Sequence, residues 1–192
     1  GLAETLGMTQ THIPSDMENI QEDFEARILA GIELSKSHSF VHIHTKATDE
    51  AGHTKSPALK RDVIEALDRA CHSLIELAQT KTIVITGDHA TPSTGGIMHS
   101  AHPSLIVLVS QHNHLDAVTA CGESSHKSGD LGKIAASDIL PLMSHYSHRA
   151  AFKGHATGSC ETIALPDNPI ALDFSEPTNE NHVTQINRTG IK

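Results

Sequence analysis

Thr82-Ile83-Val84-Ile85-Thr86-Gly87-Asp88-His89-Ala90-Thr91-Pro92 is the stretch that decides the fold. Its first five residues are β-branched and read as a buried strand. The chain then turns at Gly87 and delivers a carboxylate and an imidazole side by side. Working outward, Phe40-Val41-His42-Ile43-His44 is an earlier β-rich run, and Thr48-Asp49-Glu50-Ala51-Gly52-His53 follows it. Between the two runs, Ser56-Pro57 is an N-cap with proline at the first helical position. The stripe Leu59, Val63, Leu67, Ala70, Leu74, Leu77 continues from it at helical spacing. Strand, helix, strand predicts a βαβ unit, hence an α/β fold with a mostly parallel sheet flanked by helices.

The remaining elements are coarser. Residues 16–34 carry Met17, Ile20, Phe24, Ile28 and Ile32 on a helical period, behind the start signal Pro14-Ser15-Asp16. Ser104 to Ser110 is a third strand, apolar on both faces and therefore expected to be central. Residues 111–132 read as loop, and Ile134 to His145 as a short helix interrupted near Pro141. From Pro166 onward large apolar groups are scarce, which predicts a loosely packed tail.

With 192 residues the chain is long enough for one domain with a sizeable core. Its 14 basic against 23 acidic side chains give a net charge of -9, which argues against nucleic acid and anionic membrane as partners. No run reaches the roughly 18 apolar residues of a membrane span. The three cysteines, Cys71, Cys121 and Cys160, are dispersed and odd in number, so a reducing, cytoplasmic setting is expected.

Among 16 histidines, three fall beside carboxylates in these strand-following blocks or just after them. Ligands in open α/β sheets gather beyond the carboxyl ends of the strands. On that rule Asp49 and His53 share one rim with Asp88, His89 and His99. Read singly, Asp49 is a capping residue, His53 a surface histidine and Asp88-His89 a strand-ending turn. Taken together they form the donor set of a metal site, with oxygen and nitrogen ligands that suit Mn²⁺, Zn²⁺ or Co²⁺ better than Ca²⁺. Gly52 is expected to free the backbone there. Lys46 can contact a substrate phosphate as a point charge or be a solvated loop lysine. His42 and His44 share a sheet face and are expected to pack beneath a helix. Ser93 and Thr94 lie beside Gly95-Gly96 with no activating partner, so the chain shows no nucleophile.

These blocks resemble the alkaline phosphatase superfamily, and within it the archaeal-type, cofactor-independent (2,3-bisphosphoglycerate-independent) phosphoglycerate mutases. Lys46 to His53 is similar to that family's K-A-x-D-E-A-G-H segment. Asp88 to Pro92 with His99 to Pro103 is similar to its D-H-x-T-P…H-S-x-D-P segment. The second match departs from the pattern, because His102 replaces the family's acidic residue and Ser104-Leu105 its Val-Pro.

The resemblance implies an alkaline-phosphatase-like fold and interconversion of 3-phosphoglycerate and 2-phosphoglycerate, a step of glycolysis. It implies two divalent metal ions, Mn²⁺ or Zn²⁺ with Co²⁺ or Mg²⁺ as alternatives. Asp49, His53 and His99 would hold one and Asp88 and His89 the other. It implies that residues 1–160 are the C-terminal part of the catalytic domain, with Gly1 to Met8 ending an inserted cap domain and 161–192 forming the tail. The nucleophilic serine is then expected upstream, in a missing N-terminal half that acts as partner, with a small phosphorylated substrate. Two alternatives stay open: a hydrolase of the same superfamily, and an inactive metal-binding half that needs a partner chain.

Overall fold

The computed structural model describes residues 1–150. After a single turn, α1 (Leu2–Thr5), come α2 (Ile20–Leu34), α3 (Ala47–His53) and α4 (Pro57–Ala70). The chain continues through a 3₁₀ turn (Cys71–Ser73) into α5 (Leu74–Leu77), then β1 (Ile83–Thr86), β2 (Ile106–Val109), α6 (Glu123–His126) and α7 (Ile139–Tyr146). The tail expected over 161–192 lies outside the described residues.

The core is built by three helices. Phe24 and Ile28 from α2, Ala47 and Ala51 from α3, and Val63, Ala66 and Ala70 from α4 are buried together, with Ile20, Ile32, Leu67 and Leu74 packed around them. Four alanines in this set let α3 and α4 approach closely, and Phe24 fills the space left between the helices. The Ser56 hydroxyl accepts the Leu59 amide at 3.3 Å with Pro57 at the first helical position, as the sequence predicts. The stripe is shifted from its expected line: Ala66 is buried, while Leu59 lies at the exposed first turn. The start signal works one turn ahead of α2. The Asp16 carboxylate takes the Glu18 and Asn19 amides at 3.0 Å each, and the helix begins after Asn19.

A buried ion pair ties this entry to α2. Asp23 is bound by Arg27 at 2.7 and 2.8 Å and also accepts the Asp16 amide at 3.1 Å. The guanidinium hydrogen bonds hold the Asp23 carboxyl below its ordinary value, against the opposing effect of burial.

The sheet differs from expectation in three ways. β1 and β2 pair antiparallel, Ile83 with Val109 through Thr86 with Ile106. The reason is the connection: residues 87–105 contain no helix, and a parallel pair needs a crossover that can carry the chain back to the same end. β2 is not central among the described residues, because its sheet has two strands. Phe40 to His44 is not a strand there either; it has no ladder partner. Val41 and Ile43 lean on α2, where a Cβ on Gly31 would collide with the Ile43 side chain. His42 and His44 consequently face outward and are exposed, not packed beneath a helix.

Pro141 does not interrupt α7. It falls in the first helical turn, where the missing amide has no intrahelical partner to lose. The C-terminal end of α7 closes the far end of the sheet. Ser110 Oγ donates to the Tyr146 carbonyl at 3.0 Å, Ser147 Oγ to Thr82 Oγ1 at 2.9 Å, and His148 stacks on His112 with ring centroids 3.8 Å apart. The opposite end, at Thr86 and Ile106, opens into residues 87–105. No helix among the described residues is long and apolar enough to cross a membrane.

Candidate metal centre

Two structural units supply the site. The first is α3, which puts Asp49 and His53 one helical turn apart on the same face. His53 Nε2 and Asp49 Oδ1 are 3.3 Å apart. The second is the excursion between β1 and β2. An isolated antiparallel bridge, with the Ser100 amide donating to the Ala90 carbonyl at 3.0 Å, pinches this loop and brings its two arms together. His89 and His99 each precede a bridge residue, and their rings meet with centroids 4.1 Å apart. The rings of His53 and His99 are 5.0 Å apart.

The donor atoms of Asp49, His53 and His99 all lie within 4.8 Å of one another. Around a tetrahedral ion with ligand bonds of ~2.0–2.1 Å, neighbouring donors are ~3.3–3.4 Å apart. The Asp49–His53 pair already has that spacing, and the His99 donor lies within 4.8 Å of both. One carboxylate and two imidazoles suit Mn²⁺, Zn²⁺ or Co²⁺, so these residues fit a divalent transition metal. Asp88 and His89 form an adjoining pair. Asp88 is exposed, accepts the His89 amide at 2.9 Å, and holds its other oxygen 3.5 Å from His89 Nε2.

The structure brings Asp49, His53 and His99 together and sets the His89 ring against His99, with Asp88 in contact with His89, although not on the rim of a parallel sheet. α3 carries one pair and a pinched loop carries the other three. Lys46 sits exposed at the N-cap of α3, a helix length from His53 and three residues before Asp49. Neither the Ser93 nor the Thr94 hydroxyl bonds to a base among the described residues.

The residue that sequence reasoning missed is Thr91. Its side chain is buried, and its Oγ1 lies 2.5 Å from Asp49 Oδ1 and 3.2 Å from Nδ1 of both His89 and His99. This hydrogen bond, helped by the three nearby imidazoles, holds the Asp49 carboxyl below its ordinary value, so the group is an ionised donor at neutral pH. The available signal was the position of Thr91 two residues after His89, which returns its side chain to the same side of an extended chain. Gly52 also has a different task from the one expected. It lies within α3, and a Cβ there would meet Thr91 Cγ2 and the Thr91 carbonyl oxygen at 2.9 Å each. Glycine is needed for close approach, not for an unusual backbone conformation.

The loop is held down by cations from the α3–α4 corner. Lys55 Nζ donates to the Pro92 and Ile97 carbonyls at 2.8 and 2.6 Å, and Lys60 Nζ donates to the Thr91 carbonyl. Three long-range hydrogen bonds thus clamp the segment that carries His89, Thr91 and His99 onto the segment that carries Asp49 and His53.

An α/β chain with a carboxylate–imidazole cluster between a helix and a strand excursion is the pattern of a metalloenzyme. The chain belongs to the metalloenzyme superfamily, whose family model matches residues 3–146. It is 36% identical over 173 residues to the 2,3-bisphosphoglycerate-independent phosphoglycerate mutase 2 of Methanocaldococcus jannaschii, covering 90% of this chain and 38% of that protein. It is 35% identical over 150 residues to the 2,3-bisphosphoglycerate-independent phosphoglycerate mutase of Thermoplasma volcanium, covering 78% of this chain and 36% of that protein. The solved PH0037 protein from Pyrococcus horikoshii superposes with a TM-score of 0.64 at 33% identity, covering 69% of this chain and 40% of that one. The chain spans well under half the length of the relatives it matches.

Proposed function

We propose that the chain is the metal-holding part of a phosphoryl-transfer enzyme of the 2,3-bisphosphoglycerate-independent phosphoglycerate mutase type. The observation that carries this reading is the convergence of Asp49, His53 and His99 to within 4.8 Å. Relatives named as such mutases support the activity.

In this reading Asp49, His53 and His99 hold one divalent ion, and Asp88 and His89 contribute to a second. Bound there, the ions would polarise phosphoryl oxygens and neutralise charge developing in the loose transition state. The protein's own residues prepare that chemistry. Asp49 stays ionised and offsets the positive charge. The lysine clamp keeps the donors in place, so little reorganisation accompanies reaction. Lys46 contacts the phosphate of a small phosphorylated substrate as a point charge. The phosphoryl-accepting serine and the remaining ligands of the second ion belong to the part of the relatives' length that this chain does not span.

The test has two steps. Calorimetric titration of Mn²⁺ and Zn²⁺ into the chain should show binding that Asp49→Asn and His99→Ala each weaken at least about tenfold; indistinguishable curves remove the site. Adding a polypeptide that carries the remaining portion of a relative should then yield 2-phosphoglycerate from 3-phosphoglycerate. Release of inorganic phosphate without 2-phosphoglycerate would replace the mutase with a hydrolase.

A further inference from the structure

The Thr91 hydroxyl has one hydrogen to give and two lone pairs to offer. Its three partners are Asp49 Oδ1, His89 Nδ1 and His99 Nδ1. A carboxylate only accepts, and the contact to Asp49 is the shortest of the three, so the hydrogen is committed there. The two lone pairs then face two ring nitrogens, and an oxygen lone pair can be satisfied only by an N–H. Thr91 therefore favours the proton on Nδ1 of both rings, at His89 in opposition to the Asp88 oxygen 3.5 Å from Nε2.

We propose that Thr91 is a positioning residue that sets His89 and His99 as Nδ1–H tautomers, leaving both Nε2 lone pairs open to a divalent cation. The inference rests on the metal-site reading above and names a device that makes it work. A neutral imidazole in water favours the opposite tautomer, with the proton on Nε2, which would block the ligating nitrogen. A hydrogen bond to the far ring nitrogen is the usual means of choosing between them. Here one buried hydroxyl serves two rings at once, and its third bond orients the Asp49 carboxylate. The packing keeps it in register: Gly52 lets the α3 backbone press against the Thr91 methyl and carbonyl, and Lys60 binds that carbonyl. Serine retains the hydroxyl at this position. Valine retains the branched shape and loses it.

Two-bond ¹H–¹⁵N correlation spectra test this on the metal-free 192-residue chain labelled at histidine, above the ordinary imidazole titration range. His89 and His99 signals are assigned by single glutamine substitutions. The wild-type chain should show both rings as Nδ1–H. Thr91→Val should move them toward Nε2–H and lower Zn²⁺ affinity about 10- to 100-fold. Thr91→Ser should restore both readouts. An Nε2–H ring at His89 or His99 in the wild type overturns the proposal without any variant, so it stays decidable even if Thr91→Val fails to fold. A Thr91→Val chain with wild-type tautomers and affinity also overturns it. Nδ1–H rings in a chain that binds no Zn²⁺ would uphold the role of Thr91 and defeat the metal reading instead.

Discussion

Lys55 donates to the carbonyl oxygen of Ile97 at 2.6 Å from a backbone held at φ 58°, the left-handed region that favours glycine. The side chain that makes the clamp therefore sits where a side chain is least welcome. Left-handed backbone costs a non-glycine residue about 1 kcal/mol. Lys55→Gly relieves that strain while removing the clamp, and Lys55→Ala removes the clamp and keeps the strain. In urea denaturation Lys55→Gly should be about 1 kcal/mol more stable than Lys55→Ala. Both variants should bind Zn²⁺ more weakly than wild type. Equal stability of the two would show that the turn relaxes out of the left-handed region.

At Gly52, helix propensity and packing oppose each other. Alanine gains about 1 kcal/mol inside a helix. The added Cβ would sit 2.9 Å from both the Thr91 methyl and its carbonyl oxygen, and a backbone oxygen cannot swing aside. Overpacking of this kind costs about 1–3 kcal/mol, so packing wins. Gly52→Ala should lower the melting temperature and weaken metal binding together. A stabilised variant with unchanged affinity would mean the loop moves freely off α3.

Asp23 gives the fold an acid limit. Its folded pKa is lowered from 3.8 by Arg27, so the ionised form contributes stability that is fully present above the unfolded value. That contribution is lost as pH falls below 3.8 and through the folded pKa. Asp23→Asn should destabilise the neutral protein by about 3 kcal/mol, since it leaves the nearly buried Arg27 without its counter-charge. It should also flatten the stability profile below pH 3.8, which denaturant melts across the acid range would reveal. A profile parallel to wild type would assign acid loss to other groups.

Metal binding should stabilise the chain by mass action. At a free Zn²⁺ or Mn²⁺ concentration of about 100 times Kd the gain is about 2.7 kcal/mol. Chelation should reverse the resulting rise in melting temperature, and Asp49→Asn should cut the gain to about 1.4 kcal/mol or less at the same free ion concentration. An undiminished rise in Asp49→Asn would place the ion elsewhere, among the many other histidines.

What was legible in the sequence was local. Ser56-Pro57 announced α4 because a capping hydroxyl and a proline act through their own backbone. The β-branched run over Ile83–Thr86 announced β1 for the same reason. The five candidate ligands were legible as residue types, because carboxylates and imidazoles cluster there after apolar runs. Strand direction was not legible, because it depends on what lies between Thr86 and Ile106, and a loop of mixed polar residues does not declare whether it crosses over or returns. Phe40 to His44 shows the same limit: β-rich composition is local, and only a neighbouring ladder makes a strand.

By itself, then, the amino-acid sequence determined which residue types the chain gathers and where α2 and α4 lie. Tertiary structure alone decided how the donors meet. Thr91, Gly52, Lys55 and Lys60 are ordinary residues whose importance lies in contacts with residues far along the chain, across the gap between α3 and the loop. Such contacts leave no periodicity or spacing to read. They exist only once burial of Phe24, Ala51 and Ala66 has set α3 against α4 and the bridge at Ala90 and Ser100 has folded the loop onto them.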